Sequence, residues 1–119
     1  SRAFAGGFIT YNNAQKQALL DVDPWQIAEH SEVSEPVALQ MAKAAREKTN
    51  AHWAVSLTGY AGPEGGTAEN PVGTVFIGLA GPSGKTRALR FRFPAGDRDR
   101  VRQFAVQAAL NVLRLEMHS

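Results

Sequence analysis

A tyrosine and a lysine five residues apart are the side chains in this sequence best placed for proton transfer. Tyr11 ends a run with β-strand propensity, and Lys16 lies in a short segment of helical composition. Side chains at the end of a strand in an α/β protein face the crevice where ligands usually bind. Burial lowers the pKa of a lysine, which allows it to act as a general base. By itself the motif favours a surface lysine near a tyrosine, and the alternative is a proton-transfer pair.

A glycine-rich loop is the second feature with chemical potential. The stretch "GYAGPEGGTAENPVGTV", residues 59–75, holds five glycines and two prolines between two apolar runs. Backbone N–H groups that no Cβ shields suit the binding of a phosphate or a carboxylate. Thr58 ends the strand before the loop, so its hydroxyl is expected to face the same crevice. The structural alternative is a tight chain crossing that needs glycine for steric reasons alone.

Two other motifs favour structural interpretations. The stretch "GPSGKT", residues 81–86, resembles the end of a phosphate-binding loop, but Leu79 stands where that motif needs its first glycine. An alternating strand follows where the motif needs a helix, so we predict a hairpin turn. The three histidines, His30, His52 and His118, fall in separate elements without metal-ligand spacing, and no metal site is predicted.

Size and composition narrow the class of protein. A length of 119 residues predicts one domain, residues 1–119. The net charge is +2, from 13 basic and 11 acidic residues, and this small excess argues against direct binding of nucleic acid. The chain has no cysteine, which fits a reducing compartment, and we expect a cytoplasmic protein. No apolar run approaches the roughly 18 residues of a membrane span, so no membrane association is predicted.

The hydrophobic patterns predict an α/β sandwich whose helices cover a mixed sheet. We expect Ser34 or Glu35 to cap a helix with Pro36 in its first turn and Asn50 at its end. A later strand of continuous apolar character should be covered on both faces. The predicted order is a strand at residues 3–13, a short helix, a helix at 34–50, a strand at 52–60, a hairpin at 73–94 and a helix from 97.

The last helix is predicted to be apolar over much of its circumference. Gly96 or Asp97 should cap it, and the two aspartates of "DRDR" suit a solvated first turn. Two apolar stripes place this helix between the sheet and a second surface, such as a partner subunit. The first stripe is Val101, Phe104, Ala105, Ala108 and Val112, and the second is Val106, Leu110, Leu113 and Met117.

Three segments, in order, carry a resemblance to a known family. "GGFITYNNAQK", "VSEPVALQMA" and "SLTGYAGPEGGTAENPVGTVFIGLA" together resemble the CinA C-terminal family, whose members are similar to PncC-type nicotinamide-mononucleotide amidohydrolases. The pattern combines a tyrosine, a lysine five residues on, a valine-serine-glutamate helix start and a long glycine loop. The resemblance extends over nearly the whole chain, and the loop motif is far more specific than an isolated glycine pattern.

The resemblance implies a three-layer α/β/α sandwich, commonly a homodimer, with no metal and no cofactor. It implies hydrolysis of the carboxamide of nicotinamide mononucleotide to the acid, with release of ammonia. Lys16 then matches the family's catalytic lysine, Tyr11 its tyrosine and Thr58 its pocket threonine. The remaining residues expected to bind the small-molecule nucleotide substrate are those of the loop: Gly59, Ala61, Gly62, Gly65 and Gly66.

The sequence also departs from the family pattern. Asn12 stands where the family usually has a small hydroxyl residue. No stretch matches the family's glutamate-serine-cysteine-threonine-glycine-glycine nucleophile motif, and Ser56 is expected to point from a different strand. We therefore expect the nucleophile to come from an upstream segment or a partner chain. The alternative is an inactive or truncated relative that acts as a nucleotide-binding or dimerisation module, with a possible link to DNA uptake.

Overall fold

The computed structural model describes residues 33–60, 62, 66–94 and 96–117. The strand predicted at residues 3–13 and the short helix after it lie outside the described residues. The described elements are α1 (Glu35–Thr49), β1 (Ala54–Gly59), β2 (Thr74–Ala80), a 3-10 turn (Pro82–Gly84), β3 (Thr86–Arg92) and α2 (Arg98–Met117).

Helix α1 begins and ends at the residues that the sequence predicts. The Ser34 hydroxyl accepts a hydrogen bond of 3.4 Å from the backbone N–H of Val37, and Pro36 lies in the first turn. The helix ends at Asn50, whose φ of 56° is in the left-handed region that asparagine tolerates. Val37, Met41 and Ala44 are buried on one side of the helix, and Ala45 packs half-buried against them.

The three described strands form one antiparallel sheet in the order β1-β2-β3. Every residue of the central strand β2 is buried, as its continuous apolar sequence predicts. Residues of β1 alternate between the two faces, since Ser56 pairs with Gly78 beside α1 while Val55 and Leu57 pack in the core beside α2. Helices cover both faces of the sheet, and the predicted α/β/α sandwich is confirmed.

Each face of the sheet has its own apolar core. On the α2 side, residues of β2 and α2 pack together with half-buried residues of β1 and of the segment that ends β3. On the α1 side, Val33, Ala38 and Phe76 form a smaller cluster, against which Tyr60 packs. The α2-side core consists of Val75, Ile77, Val101, Ala105 and Ala109.

Helix α2 buries only one of its two apolar stripes. Its first turn is capped by Asp97, whose Oδ1 accepts a hydrogen bond of 3.0 Å from the N–H of Asp99. Val101, Ala105 and Ala108 of the first stripe pack on the sheet together with Ala109, which neither predicted stripe includes. Phe104 is 42% exposed and stacks on Phe93 at the edge of the core. Val106 and Leu110, from the second stripe, are about half exposed. Neither described helix combines the length and the hydropathy that crossing a membrane requires.

The "GPSGKT" stretch forms a hairpin turn, as predicted. Residues Pro82–Gly84 make a single 3-10 turn, and the N–H of Gly81 donates to the carbonyl of Lys85 across it at 2.7 Å. Strand β3 follows directly and pairs with β2. Because no helix N-terminus follows the turn, it lacks the geometry of a phosphate-binding loop.

Candidate functional site

The glycine-rich loop leaves β1 at Gly59 and returns to β2 at Thr74. Its two ends continue the β1-β2 pairing by one further step. The N–H of Tyr60 donates to the carbonyl of Thr74 at 3.0 Å, and the N–H of Gly73 donates to the carbonyl of Tyr60 at 2.7 Å. The N–H of Phe93 also donates to the carbonyl of Gly73 at 2.8 Å. The base of the loop is therefore held on both sides by the sheet.

Two loop glycines meet other parts of the loop at close range. Gly62 is buried with a φ of +92°, and a Cβ there would lie 2.7 Å from Cγ1 of Val72. Gly66 has a φ of +82°, and a Cβ there would lie 2.7 Å from the backbone nitrogen of Val72. Both positions therefore need glycine for conformational and steric reasons. This geometry supports the tight-crossing interpretation at these positions, and the anion-binding interpretation stays a prediction.

The second half of the loop folds into a turn of its own, residues 67–70, which we call the loop turn. The N–H of Thr67 donates to the carbonyl of Asn70 at 2.9 Å, and the N–H of Asn70 donates to Oγ1 of Thr67 at 2.8 Å. Arg90 of β3 binds this turn through two of its nitrogens. Its Nε donates to Oδ1 of Asn70 at 3.2 Å, and its Nη2 donates to the carbonyl of Glu69 at 3.1 Å.

The first half of the loop is bound by helix α2, which covers the other face of the sheet from α1. Nη1 of Arg98, the first residue of α2, donates to the carbonyl of Gly62 at 3.1 Å. Arg98 is exposed in the first turn of α2, as predicted for the "DRDR" segment, and its contact with Gly62 is an addition to that prediction. The pattern gave no signal for this contact, because the two residues are 36 positions apart in the chain.

Thr58 and Gly59 lie together where β1 meets the loop. Thr58 pairs with Phe76 of β2 and is buried, with 6% of its surface exposed. It lies on the α1-facing side of the sheet, so its side chain enters the interior rather than open solvent. Thr74 is fully buried in β2, next to Val75, the residue that pairs with Gly59. Its hydroxyl has no hydrogen-bond partner among the residues that the structure describes.

The structure brings only part of the predicted site together. Thr58 and Gly59 are adjacent, and Gly62 and Gly66 belong to the loop that starts from them. The other predicted site residues lie outside the described residues: Tyr11, Lys16, Ala61 and Gly65.

An open groove of about 940 Å³ lies between helix α1 and the loop turn. Phe76 contributes to its lining from the sheet, and Arg90 lines it beside the loop turn. Among the described residues that line it, the ionisable side chains are two acidic and two basic ones, Glu35, Lys43, Glu69 and Arg90. The other described lining residues are Val33, Ser34, Pro36, Leu39, Gln40 and Asn70.

Sequence reasoning missed two residues of this region, Arg90 and Asn70. Neither residue carries a prediction in the sequence analysis, since Arg90 alternates with apolar residues as an exposed strand position does. An asparagine three residues after a threonine in a glycine-rich loop is typical of a side-chain-closed turn, and this signal would have located the turn. Within the described residues, no three His, Cys, Asp or Glu side chains come together as metal ligands.

Comparison with known proteins gives a consistent family. The family model described as the CinA C-terminal domain matches residues 1–117. A CinA-like protein of Anaeromyxobacter dehalogenans is 51% identical over 112 residues, which cover 93% of this chain and 27% of that protein. The chain thus spans about a quarter of the length of the curated relatives it matches.

Solved structures agree with this assignment. The competence/damage inducible protein CihA from Agrobacterium tumefaciens superposes with a TM-score of 0.88 at 37% identity, over 92% of this chain and 66% of that one. A competence-damaged protein (CinA) superfamily member from Escherichia coli gives a TM-score of 0.83 at 37% identity, over 92% and 63%. Both similarities extend over most of the chain.

Proposed function

The chain belongs to the CinA C-terminal domain family, and on that premise we propose that it acts in the deamidation of nicotinamide mononucleotide. The reaction is hydrolysis of the nicotinamide carboxamide, which yields nicotinic acid mononucleotide and ammonia and returns the nucleotide to pyridine nucleotide salvage. The observation that carries the proposal is the joint presence of Tyr11, Lys16, Thr58 and the full glycine loop in one chain that matches the family over residues 1–117.

The proposed chemistry is that of a serine nucleophile and a lysine base. Lys16 accepts the proton of the serine hydroxyl, whose oxygen attacks the carboxamide carbon, and the proton then passes to the departing ammonia. Water hydrolyses the resulting ester to the acid and restores the serine. Tyr11 orients Lys16 or relays its proton. The serine is proposed to come from outside these 119 residues, because no stretch matches the family's nucleophile motif.

The glycine loop is proposed to line the substrate pocket. Support comes from its firm attachment to the sheet at Tyr60 and Gly73 and from the burial of Thr58 at its base. A loop held in this way offers fixed backbone dipoles, which need no rearrangement when charge develops in a transition state. Its N–H groups are proposed to bind either the phosphate or the developing oxyanion.

A second candidate function is a non-catalytic module that binds a nucleotide or mediates dimerisation. The observation in its favour is the missing match to the nucleophile motif. The names of the solved relatives, which refer to competence and damage induction, fit such a role equally well. We further propose a cytoplasmic homodimer without direct nucleic-acid contact, supported by the half-exposed apolar stripe on α2 and by the small net charge.

The two functions are separated by one assay on protein expressed from the complete coding sequence. Intact mass is measured first, and the same sample is then incubated with nicotinamide mononucleotide while ammonia and the acid product are followed. Equal release of both products supports the deamidase. Saturable binding of the nucleotide without ammonia release supports the binding module, and neither binding nor release rejects both nucleotide-directed functions.

A further inference from the structure

Arg90 joins the outer strand of the sheet to the loop turn. It lies directly opposite Phe76 in the β2-β3 register, on the sheet face that α1 covers. From there its Nε reaches Oδ1 of Asn70 and its Nη2 reaches the carbonyl of Glu69, at 3.2 and 3.1 Å. A planar guanidinium can bind two acceptors at fixed spacing, whereas a lysine ammonium is a single flexible point charge. Arg90 therefore fixes both the position and the orientation of the turn.

The loop turn is closed on itself before Arg90 binds it. Thr67 and Asn70 exchange two hydrogen bonds, at 2.9 and 2.8 Å. Because these bonds join the four residues into one unit, the contacts of Arg90 with Glu69 and Asn70 restrain the whole turn. Without Arg90, the turn would keep its internal bonds while losing its connection to β3.

The position of the turn sets one wall of the groove. Glu69, Asn70 and Arg90 line the groove on one side, and the N-terminal half of α1 lines the other. Helix α1 is joined to the sheet by the hydrogen bond that Ser56 donates to the carbonyl of Ala38. On the other side, Arg90 joins the loop turn to β3 at the edge of the groove.

We infer that Arg90 is a positioning residue for substrate binding, because it holds the second half of the glycine loop that is proposed to line the substrate pocket. This inference rests on the proposed deamidase function. It assigns Arg90 no contact with the reacting atoms, since its guanidinium acts through Asn70 and Glu69. Its loss should weaken substrate binding while leaving the chemical step nearly unchanged.

The test uses Arg90→Gln in protein from the complete coding sequence, with Arg92→Gln as the matched control. Arg92 lies two positions along the same strand, is exposed, and undergoes the same change of charge. We expect Arg90→Gln to raise KM for nicotinamide mononucleotide about fivefold with kcat within about twofold, and Arg92→Gln to change neither. Asn70→Ala should reproduce the increase, and the double variant should add little to it, since both remove the same contact.

A fall in kcat at unchanged KM would overturn the inference, because a loss of folded enzyme has that signature. Equal effects of Arg90→Gln and Arg92→Gln would overturn it as well, since only charge would then matter. Amide hydrogen exchange of residues 66–73 tests the hold on the turn without any activity. If exchange becomes faster in Arg90→Gln and not in Arg92→Gln, the contact of Arg90 with the turn is supported. This holds even if the wild-type protein releases no ammonia, and then only the deamidase function has failed. Unchanged exchange in Arg90→Gln overturns the inference.

Discussion

The hydroxyl of Ser56 donates a 2.6 Å hydrogen bond to the backbone carbonyl oxygen of Ala38, which ties β1 to the first turns of α1. Gly78 lies beside Ser56 in the sheet, and a Cβ at Gly78 would overlap the same carbonyl. The helix therefore approaches the sheet at a position without a side chain. This contact fixes the α1 wall of the groove described above.

Gly78→Ala should destabilise the fold by about 3 kcal/mol or more, because a methyl group would force α1 away from the sheet. At an open position, the same change usually stabilises a protein by about 0.4–1 kcal/mol through the unfolded state, so the sign of the effect is informative. Ser56→Ala should cost only about 1 kcal/mol, the value of one hydrogen bond. Urea unfolding measures both, and a Gly78→Ala protein as stable as wild type would contradict the close approach.

Comparison of Gly73→Ala with Gly84→Ala separates two contributions to the loss of stability, which are backbone strain at positive φ and steric overlap of the added Cβ. Both glycines have positive φ, +99° and +74°, so both variants carry about 1–2 kcal/mol of left-handed strain. A Cβ at Gly84 meets nothing within 4 Å, whereas a Cβ at Gly73 would overlap the carbonyl oxygen of Phe93. We expect Gly73→Ala to lose about 2 kcal/mol more free energy of unfolding than Gly84→Ala. Equal losses in urea unfolding would show that the loop base has room to adjust.

Thr58→Val should reduce kcat/KM for nicotinamide mononucleotide at least about tenfold if the hydroxyl belongs to the pocket, and Thr58→Ser should restore most of it. Thr74→Val is the matched control on the same sheet face. Its hydroxyl is buried without a hydrogen-bond partner, so its replacement by a methyl group should leave stability unchanged or raised. Ammonia release and thermal unfolding are measured on all three variants. Full activity of Thr58→Val would remove Thr58 from the pocket.

Lys16→Met should lower kcat by about a hundredfold or more, because the proposed serine would lose its base while the aliphatic stem is retained. Lys85→Met makes the same change in the hairpin turn that only resembles a phosphate-binding loop. Since β3 rather than a helix follows that turn, Lys85→Met should keep wild-type kcat and KM. Steady-state ammonia release decides both points, and a loss of activity in Lys85→Met would revive the nucleotide-loop interpretation.

Leu110→Lys should convert the proposed homodimer to a monomer. Leu110 is 53% exposed on the second stripe of α2, next to the 49% exposed Val106, and a buried unpaired charge would disfavour a subunit contact there. Gln107→Lys, an exposed polar position on the same helix, is the control and should remain dimeric. Sedimentation velocity reports the mass of each. A monomeric wild type, or a dimer unaffected by Leu110→Lys, would reject this interface.

Local sequence patterns were sufficient to predict the described elements. Ser34, Pro36 and Asn50 bound α1 because capping and left-handed termination are properties of a few neighbouring residues. The alternation of β1 and the unbroken apolar run of β2 predicted which strand has both faces covered, since strand period and burial are read from adjacent positions. The family resemblance then predicts a site at the loop and Thr58, and that site stays a prediction.

The sequence by itself therefore determined the helices, the strands and the location of the glycine loop, while tertiary structure decided what holds that loop. Arg90 and Arg98 both look like exposed charges at the level of pattern. Their partners lie 20–21 and 36 positions away in the chain, and periodicity carries no information over such separations. A guanidinium on a long side chain binds whichever carbonyls the packed layers bring within reach, so these contacts exist only once the sheet and both helices are in place.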